Sequence, residues 1–251
     1  MKILVTFAVQ AEFAAWRRKG QFRQVARDPF PLYAGDVGGN SVRVLLTGIG
    51  NESASEAIRW ALTRATDLCI SSGFAGALRP DLCTAELLAA RVVCRAGREL
   101  AVASDRHLFA AACDAGARPV DRFMTARRLV TRADEKSALS FEADAVEMES
   151  YVILAEAARR GVRAVSIRAV SDTASASLPF DFERLRDGRG GIRMTSVLLE
   201  LLRRPRQLSA LLRLAADCRT AGSQLAEFLD GYMQILDAGF DRSEPALAAA
   251  L

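Results

Sequence analysis

Two acidic clusters, each closing an apolar run, constrain this chain more than any other feature. Val146-Glu147-Met148-Glu149-Ser150 follows a short run through Ala145. Arg168-Ala169-Val170-Ser171-Asp172 ends a longer one that begins at Ala164. The residues between them, Tyr151 to Arg160, have helical spacing. Strand, helix, strand in that order predicts a βαβ unit, whose parallel strands present their C-terminal ends on one side of a sheet. Ligands of open α/β sheets bind at that edge. The spacing therefore predicts a site where Glu147, Glu149 and Asp172 converge on one small molecule.

The rest of the chain alternates in the same way. Ile3 to Val9 is a β-rich apolar run and reads as a first strand, followed by a helical pattern that carries Glu12 in its first turn. An acid there favours the helix macrodipole whatever else it does. Ser41 to Thr47 reads as a strand that runs into Gly48-Ile49-Gly50, with a helix from Ala54 to Ala65. A G-x-G between strand and helix lets backbone N–H groups approach an anion or a sugar. Asp67 to Ser72 is a further strand, closing on a second glycine-rich loop, Gly73-Phe74-Ala75-Gly76-Ala77-Leu78. Strands are also expected at Pro31 to Val37 and Leu87 to Cys94, and a shorter one at Glu99 to Ala103. Asp105 to Ala115 reads as a helix. Thr131 is expected to cap another that reaches about Phe141. Leucine- and arginine-rich helices follow at Arg193 to Leu202 and Gln207 to Leu236, split by Pro205. The pattern is α/β: a core over residues 1–190, a C-terminal helical extension of the same domain over 191–240, and a tail over 241–251.

Composition narrows the function. No apolar run is long enough to span a bilayer, and the N-terminus lacks a small-residue cleavage pattern. The net charge is +4, and every basic residue except Lys2, Lys19 and Lys136 is arginine. No aromatic-interleaved basic patch accompanies that charge, so no nucleic-acid partner is expected. Five scattered cysteines without a C-x-x-C fit a reducing cytoplasm rather than a disulfide scaffold. The single histidine, His107, reads as a surface helix residue, so neither a His-based triad nor a metal site is expected.

Taken in order, several segments resemble one family. They are Glu12 after the first strand, Thr47-Gly48-Ile49-Gly50, Ser72 to Leu78, Glu135-Lys136, Val146-Glu147-Met148-Glu149-Ser150, and Arg168 to Asp172. Over roughly residues 1–180 the chain is similar to the purine nucleoside phosphorylase and 5′-methylthioadenosine/S-adenosylhomocysteine nucleosidase superfamily. That resemblance implies a three-layer αβα sandwich around a large mixed β-sheet, assembled as a homo-oligomer, with a dimer favoured. It implies a purine nucleoside as ligand, no cofactor, and cleavage of the N-glycosidic bond.

Carried onto these positions, the resemblance makes Asp172 the acid that protonates purine N7 and Glu12 the base that activates water. Glu149 holds the ribose hydroxyls and Met148 packs against the sugar. Glu147 and Ser171 lie beside them, Gly73, Phe74 and Ala75 line sugar and base, and Val130 falls in the base-binding segment with Leu129 and Thr131. Gly48 and Gly50 belong to the loop near the nucleophile or phosphate. Asp172 is expected to keep its proton near neutrality through burial or a neighbouring carboxylate. Phe74 replaces a small polar residue common in nucleosidases, which implies a more apolar pocket.

No clear set of phosphate-binding arginines is present; Arg17, Arg18, Arg79 and Arg91 are candidates by proximity only. Glu12 favours water over phosphate as nucleophile, with phosphorolysis as the alternative. A non-catalytic nucleoside-binding protein is the alternative from another class. Ser150 and Leu178-Pro179-Phe180-Asp181-Phe182 look like the phosphorylase-like proteins of hopanoid lipid biosynthesis, which implies an adenosylated lipid as one substrate. The basic amphipathic stretch Met194 to Leu214 suggests peripheral membrane contact, against the simpler expectation that its leucines cover the core or an oligomer interface.

Overall fold

The computed structural model describes residues 1–97, 99–178 and 208–239. In chain order the elements are β1 (Lys2–Phe7), α1 (Gln10–Lys19), β2 (Arg23–Ala26), β3 (Leu32–Val37), β4 (Asn40–Leu46), α2 (Asn51–Ala61), β5 (Leu68–Ser71) and β6 (Phe74–Ala77). Then come β7 (Leu87–Arg95), β8 (Ala101–Ala103), α3 (Arg106–Asp114), β9 (Arg118–Thr125), α4 (Ala133–Leu139), β10 (Ala145–Glu147), α5 (Ser150–Arg159), β11 (Arg163–Asp172) and α6 (Leu208–Gly239). The expected helix at 193–202, the 190/191 boundary, the tail, and most of the stretch considered for membrane contact lie outside the described residues. No helix among the described residues is long and apolar enough to cross a membrane.

Among the described residues the strands form one 11-stranded mixed sheet in the order β2-β3-β4-β1-β5-β11-β6-β10-β9-β7-β8. β1 sits parallel between β4 and β5. Ile3, Leu4, Val5 and Phe7 are all buried, the continuous apolar run expected of a strand covered on both faces. Helices α1, α3 and α6 pack one face through Phe13, Trp16, Leu108, Leu229 and Tyr232. Helices α2 and α5 pack the other through Ile58, Ile153 and Leu154. This gives the three layers expected. The C-terminal half of α6 is part of the core: Trp16 Nε1 donates to Asp230 at 2.6 Å and Tyr232 Oη to the Leu108 carbonyl at 2.8 Å.

The expected βαβ unit is not what brings the acidic clusters together. β10 runs antiparallel to β6, whereas β11 runs parallel to it, so β10 and β11 are not a parallel pair. The long β11 also pairs with β7, closing β11, β6, β10, β9 and β7 into a ring. Within that ring Gly76 of β6 pairs with Val146 on one side and Asp172 on the other. The clusters meet across one small strand, not at the ends of two parallel ones.

Other expectations are adjusted. The second glycine-rich loop is mostly β6. Thr131 does not cap α4: the cap position is Arg132, without a side-chain bond, and the helix stops at Leu139. Strands β2 and β9 were not expected.

Candidate active site

Glu12, at the third position of α1, turns back over the helix start. Its Oε2 accepts the N–H groups of Ala8 at 2.8 Å and Val9 at 3.2 Å, and its Oε1 accepts that of Phe74 at 2.9 Å. The last bond requires Gly73. Its φ is +139°, and a Cβ there would stand 2.7 Å from Glu12 Oε1, so a larger residue would displace the carboxylate. Burial pushes the Glu12 carboxyl above the ordinary glutamate range, although the three N–H groups and Arg168 oppose the shift.

Glu149 stands at the N-cap of α5, with Oε1 accepting the Gly50 N–H at 2.7 Å. The donor that the G-x-G turn presents is thus taken by the protein's own carboxylate. Burial raises the Glu149 carboxyl most strongly; Glu147 and Glu12 add repulsion, and Arg168 opposes them.

Beneath Glu149 lies a buried network. Glu147 Oε2 accepts Glu149 N at 2.9 Å, Ser150 N at 2.7 Å and Arg168 Nη2 at 2.8 Å, while Oε1 accepts the Thr125 hydroxyl. Arg168 also donates to Ser150 Oγ at 2.8 Å and Ser71 Oγ at 3.2 Å. Glu147 therefore caps α5 and neutralises Arg168 behind the site.

Asp172 ends β11. Its Oδ1 accepts the Ser171 hydroxyl at 2.6 Å and its Oδ2 accepts from Lys136 Nζ. Of the two means expected to keep its proton, burial or a neighbouring carboxylate, the second is absent among the described residues: the group beside it is an ammonium.

Glu12, Phe74, Ala75, Val130, Glu147, Met148, Glu149, Ser171 and Asp172 all line one cavity of about 320 Å³. Gly48, Gly50 and Gly73 do not line it; Gly50 and Gly73 stand behind the carboxylates they allow into place, and Gly48, close beside Ser53, belongs to the turn that leads to Gly50. The other walls are mainly apolar, with Val9, Ile49, Leu129, Leu178 and Leu214 among them. Leu214 comes from α6, a contribution the sequence reading did not assign. None of the four arginines considered for phosphate lines the cavity. Arg17 lies over the Tyr33 ring, Arg79 pairs with Asp81 and Asp144, and Arg91 lies over Phe109. Arg128 reaches the cavity and pairs with Glu135.

Four carboxylates on an apolar cavity, three of them held by backbone N–H groups, suit an enzyme that cleaves a nucleoside at its N-glycosidic bond. The phosphorylase superfamily model matches residues 2–203, and the chain belongs to that superfamily. No curated protein matches it. Among solved structures it is similar to the 5′-methylthioadenosine/S-adenosylhomocysteine nucleosidase of S. pneumoniae with the transition-state inhibitor MT-ImmA. That match has a TM-score of 0.73 and 19% identity, covering 94% of this chain and 100% of that one. The Neisseria meningitidis nucleosidase in complex with methylthio-immucillin-A matches with a TM-score of 0.70 and 21% identity, over 93% and 98% of the two chains. Futalosine hydrolase of Helicobacter pylori matches with a TM-score of 0.71 and 17% identity, over 92% and 97%. At these identities the likeness concerns the fold.

Glu149→Gln gives a prediction that does not depend on the substrate. A carboxyl raised by folding binds a proton that the unfolded chain has released. Its contribution to stability is therefore present below the ordinary glutamate pKa and is lost as pH rises through the folded value. The variant removes that loss. Its Tm is expected to match wild type near pH 4.5 and to exceed it at pH 8, with each kcal/mol worth about 2–4 °C in a chain of this size. Calorimetry at both pH values checks this; a variant less stable at pH 8 than at pH 4.5, relative to wild type, contradicts it.

Proposed function

We propose that the protein hydrolyses the N-glycosidic bond of a purine nucleoside of the 5′-modified adenosine type. The observation that carries this reading is the convergence of Glu12, Glu149 and Asp172, from three separate elements, on one apolar cavity. Breaking the bond builds positive charge on the sugar and negative charge on the base. Asp172, the ionised partner of Lys136 in the free protein, takes up a proton in the substrate complex and delivers it to N7 of the leaving purine. Glu149, whose Oε1 is held by Gly50, offers Oε2 to the ribose hydroxyls and stabilises the electron-poor sugar. Met148 packs against the sugar, and Phe74, Ala75 and Val130 enclose sugar and base. Glu147 acts through Glu149 and α5, since both its oxygens are engaged by protein donors.

Water is favoured over phosphate as the nucleophile for two reasons. The Gly50 N–H, the anion-binding donor of the turn, is occupied by a carboxylate. A phosphate would also enter beside Glu12 and Glu149, while Arg168 is paired with Glu147 and Arg128, the arginine that reaches the cavity, with Glu135. Glu12, with its raised pKa, is suited to take a proton from water near neutrality.

The test is incubation with adenosine, 5′-methylthioadenosine and S-adenosylhomocysteine, with and without inorganic phosphate. Adenine and free sugar are expected in phosphate-free buffer, at a rate that phosphate does not raise. Release only with phosphate would reverse the choice of nucleophile. Tight binding of all three without any release would favour a nucleoside-binding protein.

A further inference from the structure

We propose that Lys136 is a positioning residue for leaving-group protonation, which it serves by fixing Asp172; this rests on Asp172 being the acid. Lys136 lies on α4, far from β11 in the chain, and is completely buried. Its ammonium donates to Asp172 Oδ2, to the Thr173 carbonyl at 2.8 Å and to the Ala176 carbonyl at 3.0 Å. Those three bonds use every proton it carries.

Stability does not account for this arrangement. Desolvating an ammonium is costly, and an apolar side chain of similar size in such a place commonly leaves a fold as stable or more so. What the ammonium supplies is direction. Lys136 grips Oδ2 and the Ser171 hydroxyl grips Oδ1, so the carboxyl group is held from both sides and its plane is set. Residues 173–178 are fastened to the same helix. Ala133 N donates to Ser177 Oγ at 3.1 Å and Leu178 N to the Thr131 carbonyl at 2.8 Å. Leu178 then reaches the cavity wall. The loop thus keeps holds on this segment besides the ammonium, whereas Asp172 Oδ2 is gripped by Lys136. A proton donor must lie within hydrogen-bond reach of its target, and Lys136 is the residue that limits where Asp172 can point.

Lys136→Met keeps the length of the side chain and removes its charge. Two substrates separate its effects: 5′-methylthioadenosine, whose base needs a proton to leave, and p-nitrophenyl β-D-ribofuranoside, whose leaving group does not. With 5′-methylthioadenosine, kcat is expected to fall about 10²-fold with KM little changed. With the nitrophenyl substrate it should stay within about threefold of wild type. In an Asp172→Asn background Lys136→Met should add no further loss, because it acts through the residue already removed. Equal losses on both substrates, an unchanged kcat, or a multiplicative loss in the double variant would overturn the proposal.

Should the single variant not fold, the double variant, which buries no lone charge, is compared with Asp172→Asn on the nitrophenyl substrate. Equal rates support the proposal and a lower rate overturns it. A wild-type protein inactive on 5′-methylthioadenosine would instead count against the reading of the site as a whole.

Discussion

Asp172→Asn is expected to lower kcat on an adenosine-type nucleoside by about 10²–10⁴-fold, with a much smaller change in KM. Asparagine has the same shape, so the base keeps its place. Its carbonyl can still accept from Lys136 or Ser171, but it has no acidic proton to give. The variant also leaves the Lys136 ammonium without a full counter-charge. Removing one partner of a buried ion pair typically costs about 3–5 kcal/mol, so a folded protein with a lower Tm is expected. That separates it from Glu149→Gln, which also disables the site but raises Tm at pH 8. The two variants exchange a carboxylate for an amide in one cavity with opposite effects on stability. The reason is that Asp172 faces an ammonium, whereas Glu149 faces Glu147 and Glu12. Steady-state rates and calorimetry on both variants test the contrast. Wild-type-like turnover by Asp172→Asn would remove Asp172 from the chemistry.

The sequence was readable where local pattern and tertiary role agree. β1, β4, β5 and β11 are apolar runs buried in the sheet, and helices α3 and α5 follow their spacing closely. β9 was not readable, because Pro119, Asp121 and Arg122 interrupt it and only its end, Phe123 to Thr125, is buried throughout. β6 was hidden for the opposite reason. Its small residues look like a loop, yet smallness is what lets Val146 and Asp172 approach across Gly76.

In the site, the carboxylates and their immediate neighbours on the cavity follow from the family resemblance, while Leu214, Arg128 and the groups that support the carboxylates do not. Nothing local to Ala133–Leu139 distinguishes Lys136 from a solvated helix lysine. Its burial depends on Asp172 and two carbonyls that arrive about forty residues later. Glu147 and Glu149 look equivalent in sequence. The family resemblance sets Glu149 on the sugar, but the physical reason appears only when Arg168 and the start of α5 take up Glu147.

Glu12→Gln is the other change with a large expected effect, about 10²–10⁴-fold in kcat without phosphate. The carboxylate now accepts backbone N–H groups on both oxygens. A glutamine can accept on one side only, and its NH₂ must face either Phe74 N–H or those of Ala8 and Val9. Part of the loss is therefore local displacement, and the variant alone would not establish a base. The wild-type pH profile separates the two effects. A base must be deprotonated to act, and burial raises the Glu12 carboxyl, so kcat should climb with pH through a midpoint above the ordinary glutamate value. Glu12→Gln should lose that limb, and its residual rate should be flat across the same range. Phosphate bears on the choice of nucleophile: an anion needs no base to deprotonate it. If phosphate restores Glu12→Gln to near wild-type turnover, the cavity accepts phosphate and Glu12 serves structure. If phosphate has no effect and the limb is gone, Glu12 is the group that takes the proton from water.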